Sequence, residues 1–150
     1  MDEIRNIEGV FLTPLKKICH PKGDIFHGIK KSDEGFSGFG EAYFSIIKKG
    51  EIKGWNKHKK MTLNLVVPMG EVNFVIYDDR EESKSKGSFF TVVLSPSNYQ
   101  RLTVPIGLWM AFRGNGSKIN LILNVASIEH DPNEIERLDL DQIDCNWGSV

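Results

Sequence analysis

Residues 61–77 read MTLNLVV-PMG-EVNFVIY, and the alternation inside them decides the fold class. Met61, Leu63, Leu65 and Val67 fall on one face of an extended chain, and Thr62, Asn64 and Val66 on the other. That is the period-two pattern of a strand. Pro68-Met69-Gly70 then supplies turn chemistry before a second β-type run at 71–77. Working outward, the same pattern recurs at 9–15, 24–29, 38–47, 51–56, 88–95, 100–104, 108–113 and 118–126. Turn residues separate the runs, as at Lys48-Lys49-Gly50, Pro96-Ser97-Asn98 and Gly114-Asn115-Gly116-Ser117. About ten short strands at regular spacing, with no long helical period, predict an all-β sandwich or barrel.

Two stretches do not read as strand. Residues 78–87, DDREESKSKG, are charged and predict a mobile loop. Residues 131–150 form an acidic tail whose Asp131-Pro132-Asn133-Glu134 start suits either one short C-terminal helix or a docked tail. With 150 residues, no repeat and no linker, the chain reads as one domain able to bury a core.

A formal net charge of -1 gives no basic patch for nucleic acid. The charged start, MDEIRNIE, lacks the apolar segment of a secretion leader. No apolar run approaches membrane-spanning length. Cys19 and Cys145 are far apart in sequence and are read as reduced thiols. The expectation is a cytoplasmic protein without nucleic-acid or membrane partners.

The candidate chemistry is concentrated near Lys53-Gly54-Trp55-Asn56-Lys57-His58-Lys59-Lys60. His58 is either a solvated residue in a basic turn or a base poised near neutral pH. Tyr43, in an aromatic strand, serves packing or proton transfer. Lys53 and its neighbours form a solvated face or meet a diphosphate. His20, His27 and His130 are scattered without ligand spacing, so no metal is expected.

The order of several short segments resembles the dTDP-4-dehydrorhamnose 3,5-epimerase superfamily. These are Gly40-Glu41-Ala42-Tyr43-Phe44-Ser45, the Gly54-x-x-x-His58 segment, the Gly70-Glu71-Val72 turn, the Asp79-Arg80 strand end and the Pro105-Ile106-Gly107 turn. The resemblance implies a cupin, or double-stranded jelly roll, that acts on a nucleotide-linked keto-deoxysugar for cell-surface polysaccharide such as lipopolysaccharide. It also implies a homodimer that needs no cofactor. The usual proton-transfer groups of that family are replaced. Asn56 stands where its base histidine is expected, Leu63 at its lysine, Asn124 at its tyrosine and Met110 at a later histidine.

The chain is also similar to the dTDP-sugar 3,4-ketoisomerases, whose Arg-Gly-x-His-Ala-His-Lys-Lys segment matches residues 53–60 with the second histidine kept as His58. The resemblance implies His58 as base and Tyr43 as assisting acid. It makes Asn56, Asn64 and Asn124 a hydrogen-bonding wall and Lys53 a phosphate contact, while Arg80 and Arg101 either sit near the nucleotide or pair with acids. The expected function is epimerisation or isomerisation by proton abstraction next to a carbonyl. The competing expectations are a non-catalytic sugar-nucleotide-binding cupin and a metal-dependent cupin oxygenase.

Overall fold

The computed structural model describes residues 6–148. Most of the charged start read for a leader, and the last two residues of the acidic tail, lie outside the described residues. The strands are β1 (Phe11–Pro14), β2 (Lys17–Ile18), β3 (Ile25–Phe26), β4 (Glu41–Ile47), β5 (Ile52–His58) and β6 (Leu63–Met69). They continue as β7 (Val72–Tyr77), β8 (Phe89–Leu94), β9 (Gln100–Val104), β10 (Trp109–Gly114), β11 (Asn120–Ala126) and β12 (Ile135–Arg137). One five-stranded sheet has the order β1-β9-β6-β11-β4 and the other β12-β5-β10-β7-β8. All their pairings are antiparallel. The chain crosses between the sheets at nearly every turn, which is the jelly-roll arrangement. No helix among the described residues is long and apolar enough to cross a membrane.

The alternation of residues 61–67 holds. Leu63, Leu65 and Val67 enter the core between the sheets with Val72, Phe74 and Ile76 of β7, Leu94 of β8 and Leu102 and Val104 of β9. Each such side chain contributes about 1.5–3 kcal/mol on burial. A second apolar cluster covers the outer face of the other sheet. Trp55, Val75, Trp109 and Ala111 pack there against Ile143, Leu138, Cys145 and Trp147 of the C-terminal segment.

Of the two forms expected for the tail the docked one is found, and the run at 24–29 is shorter than expected. The tail forms no α-helix; it makes a one-turn 3-10 helix at Pro132–Glu134, the short strand β12 and a second 3-10 turn at Leu140–Gln142. The 24–29 run contracts to Ile25–Phe26, paired with Lys17–Ile18 in a separate hairpin. The 78–87 segment is stitched around Asp78, whose side chain is fully buried. Asp78 Oδ2 accepts 2.6 Å hydrogen bonds from the hydroxyls of Ser83 and Ser85. The Gly87 amide donates to the Asp78 carbonyl at 2.7 Å.

Candidate active site

The register fixes which side chains line the barrel. Asn56 is the cross-strand partner of Met110, and Asn124 the partner of both Leu65 and Tyr43. Met110 and Leu65 belong to the core, and directly paired residues project to the same side of a sheet. Asn56, Asn124 and Tyr43 therefore face inward. His58, two residues after Asn56, shares that face. The chain leaves β5 at His58 and enters β6 at Leu63. That link places His58 at the end of the barrel where Leu63 pairs Ala126 and Ala126 pairs Glu41. Tyr43 lies two residues from Glu41, and Asn56 two from His58, so both sheets bring their polar groups to one end.

His58 does not stand in a solvated turn. Its Nδ1 lies 2.7 Å from Oε2 of Glu134, and the two side chains are 14% and 1% exposed. Oε1 of Glu134 accepts from the Met61 amide at 2.8 Å and the Lys60 amide at 3.3 Å. The tail places the carboxylate: Asp131 caps the 3-10 turn through the Asn133 amide, and β12 then pairs β5 with Ile135 opposite His58. A carboxylate can only accept here, so Nδ1 carries the hydrogen of this contact and Nε2 is the ring nitrogen turned away from Glu134.

Opposite, Asn124 Nδ2 donates to Tyr43 Oη at 3.0 Å. Lys53 reaches from β5 to β4, its Nζ donating to the Ile46 carbonyl at 2.8 Å.

Two expected site residues are placed elsewhere. Asn64 lies on the outer face of its strand because alternation puts it opposite Leu63 and Leu65. Its Nδ2 donates to the Gly35 carbonyl at 2.9 Å, and its Oδ1 accepts from Thr103 at 2.7 Å and from buried Arg101 at 3.2 Å. It fixes the segment crossing that face. The Arg80 guanidinium is taken up by Asp78, Ser83 and the Glu8 carbonyl, the last at 2.7 Å. Burial would raise the Asp78 carboxyl, yet hydrogen bonds from Arg80, Ser83 and Ser85 hold it well below the usual carboxylate range. The bond to Asp78 raises Arg80 in turn.

Sequence reasoning missed Glu134. Its Asp-Pro-Asn-Glu setting gives a turn signal but nothing that points to a histidine in another strand. Glu41 and Ser45 were also missed; they share the inward face of Tyr43, opposite Ala126 and Ile122. Among the described residues no group of three or more His, Cys, Asp or Glu could hold a metal ion.

No protein-family model matches the chain. It is 34% identical to a dTDP sugar isomerase from Desulfovibrio desulfuricans G20, with a TM-score of 0.91, over 96% of this chain and 94% of that one. It is 31% identical over 91 residues to the probable low-salt glycan biosynthesis epimerase Agl13 of Haloferax volcanii. That match spans 60% of this chain and 58% of the relative. It is 26% identical over 147 residues to the spore coat polysaccharide biosynthesis protein SpsL of Bacillus subtilis, covering 95% of this chain and 97% of that protein.

Proposed function

Because this chain belongs to the dTDP-4-dehydrorhamnose 3,5-epimerase and dTDP-sugar isomerase superfamily of cupins, we propose that it isomerises or epimerises a dTDP-linked keto-deoxysugar for a surface polysaccharide. The observation that carries this reading is the His58–Glu134 pair, turned into the barrel at the same end as Tyr43 and Asn124. His58 Nε2 removes a proton from the carbon beside the sugar carbonyl, and Glu134 stabilises the imidazolium that forms. Tyr43 protonates the enolate oxygen. A proton delivered from water to the opposite face of the same carbon gives an epimer, as the phenolate takes back the enol proton and His58 loses its own to water. A proton returned by His58 to the former carbonyl carbon gives a ketoisomer, as the phenolate takes the proton of the neighbouring hydroxyl. Asn56 contributes a polar wall group, and Lys53 a cation for the diphosphate.

The chain acts in this reading as a homodimer in the cytoplasm. Apolar Phe44 and Ile46, exposed on the outer face of β4, support the dimer. The unpaired Cys19 and Cys145 suit a reducing compartment.

Incubation with a dTDP-4-keto-6-deoxyhexose in heavy water tests the chemistry, with deuterium expected beside the carbonyl. A tightly bound sugar nucleotide that acquires no deuterium at any carbon over hours would show a binding protein instead.

A further inference from the structure

We propose that Asn124 is a positioning residue for Tyr43, turning the phenol's hydrogen toward the substrate carbonyl; this rests on the reading of the barrel as a proton-transfer site. The amide nitrogen of an asparagine has hydrogens and no acceptor capacity, so across the 3.0 Å contact Nδ2 donates and Tyr43 Oη accepts. The phenol's own hydrogen is thereby left for another acceptor. Tyr43 is 44% exposed whereas Asn124, which donates to its hydroxyl, is 2% exposed. The two residues are direct cross-strand partners, which builds the contact into the β4–β11 ladder.

Stability does not account for the amide. Asn124 is 2% exposed, and its Oδ1 has no hydrogen-bond partner among the described residues. A buried acceptor left unpaired costs about 1–3 kcal/mol. Leu65 pairs with Asn124 on the same inward face, so a leucine at this position would suit the fold better. The group retained at that cost acts on Tyr43.

In the reaction, His58 Nε2 takes the proton from the carbon beside the carbonyl. The C–H electron pair becomes the C=C bond, the carbonyl π pair moves onto oxygen, and that oxygen takes the proton of Tyr43. The phenolate left behind keeps its hydrogen bond from Asn124, which is stronger to an anion than to a neutral phenol. The reverse transfers restore both residues.

Two measurements test this. The side-chain amide signals of Asn124, followed by NMR without substrate, should shift in Tyr43→Phe, because the acceptor of Nδ2 is removed. With the keto-sugar nucleotide, Asn124→Leu should lower kcat for deuterium exchange roughly tenfold with KM little changed. The isosteric Asn124→Asp should lower it further, because its carboxylate accepts the phenol's hydrogen and withholds it. Neither change should lower the rate again in a Tyr43→Phe background, whereas a merely structural role would give independent losses. If Asn124→Asp fails to fold, Asn124→Leu completes the same cycle. An unshifted amide signal, or independent losses, overturns the proposal. A shifted signal in a wild type that exchanges no proton overturns the reading of the site, and the positioning role falls with it.

Discussion

His58 and Glu134 lie 76 residues apart in sequence, yet their side chains meet at 2.7 Å. The tail creates that meeting: its 3-10 turn offers the carboxylate, and β12 holds it by pairing with the strand that carries His58. A histidine flanked by Lys57, Lys59 and Lys60 thus acquires one buried anionic partner and one fixed tautomer.

The first prediction follows from that tautomer. His58→Asn should slow deuterium exchange by roughly 10²–10⁴-fold while ligand affinity and fold persist, because only the proton acceptor is lost. Glu134→Gln should also slow it, by about tenfold or more, since an amide offering a hydrogen to Nδ1 favours the wrong tautomer. Its carbonyl can still accept from the Met61 and Lys60 amides, so melting should change little. A two- or three-fold effect in His58→Asn would remove the histidine from the mechanism.

Asp78 makes a prediction about acid. Its carboxyl is held low in the fold, so the unfolded chain binds a proton more readily. The stability it contributes is therefore complete above the ordinary carboxylate range near about pH 4 and is lost as pH falls below it. Asp78→Asn should be less stable than wild type at pH 7 by about 1–3 kcal/mol. The gap between the two should begin to narrow below that range and close only at pH values well under it, where the folded carboxyl is itself protonated. Parallel melting curves at every pH would contradict this.

Much of the fold is legible in the sequence, because alternation and turn chemistry are local. Residues 61–67 show their core face directly, and the runs at 71–77 and 100–104 coincide with β7 and β9. The short β12 is hidden because Ile135-Glu136-Arg137 alternates too briefly and sits in a charged tail. The site is legible only in part. His58, Tyr43, Asn56 and Asn124 can be placed on faces by counting, and all four face the barrel. Asn64 could have been set apart by the same count, since it alternates with Leu63 and Leu65. Arg80 is legible only as two alternatives, the nucleotide or an acid, and its attachment to Asp78 depends on how the loop folds back. Glu134 is hidden for the same reason: its partner is brought near only by tertiary structure.

Gly40 opens β4, and its amide donates to the Ala126 carbonyl at 2.8 Å. A Cβ there would lie 2.0 Å from the carbonyl carbon of Ile128 and 2.2 Å from its Cα. Backbone cannot swing aside as a side chain can, so β4 would have to shift against β11. Gly40→Ala should cost about 1–3 kcal/mol and lower the melting temperature accordingly. Gly28→Ala is the control: its nearest contact is the end of Leu123 at 3.9 Å, and its effect should stay within about 0.5 kcal/mol. Equal melting temperatures for the two variants would show that the clash relaxes freely.

The last prediction concerns the outer side of the strand that carries Tyr43. Alternation turns Tyr43 inward and sends Phe44 and Ile46 outward, opposite Leu123 and Leu121. Phe44 is 66% exposed, Ile46 53%, Met69 51% and Ile119 50%. Several large apolar residues bare on one face are what an interface covers. The strand β4 ends its sheet, so no further strand secures it, and a second copy packed on that face would hold it in place. Wild type should therefore scatter light as a dimer at micromolar concentration, and the double variant Phe44→Asp, Ile46→Lys as a monomer. Because Tyr43 adjoins Phe44, the monomer should also exchange deuterium more slowly, its phenol carried on a looser edge. A monomeric wild type would dismiss the dimer, and a double variant that remains dimeric would move the interface to another face.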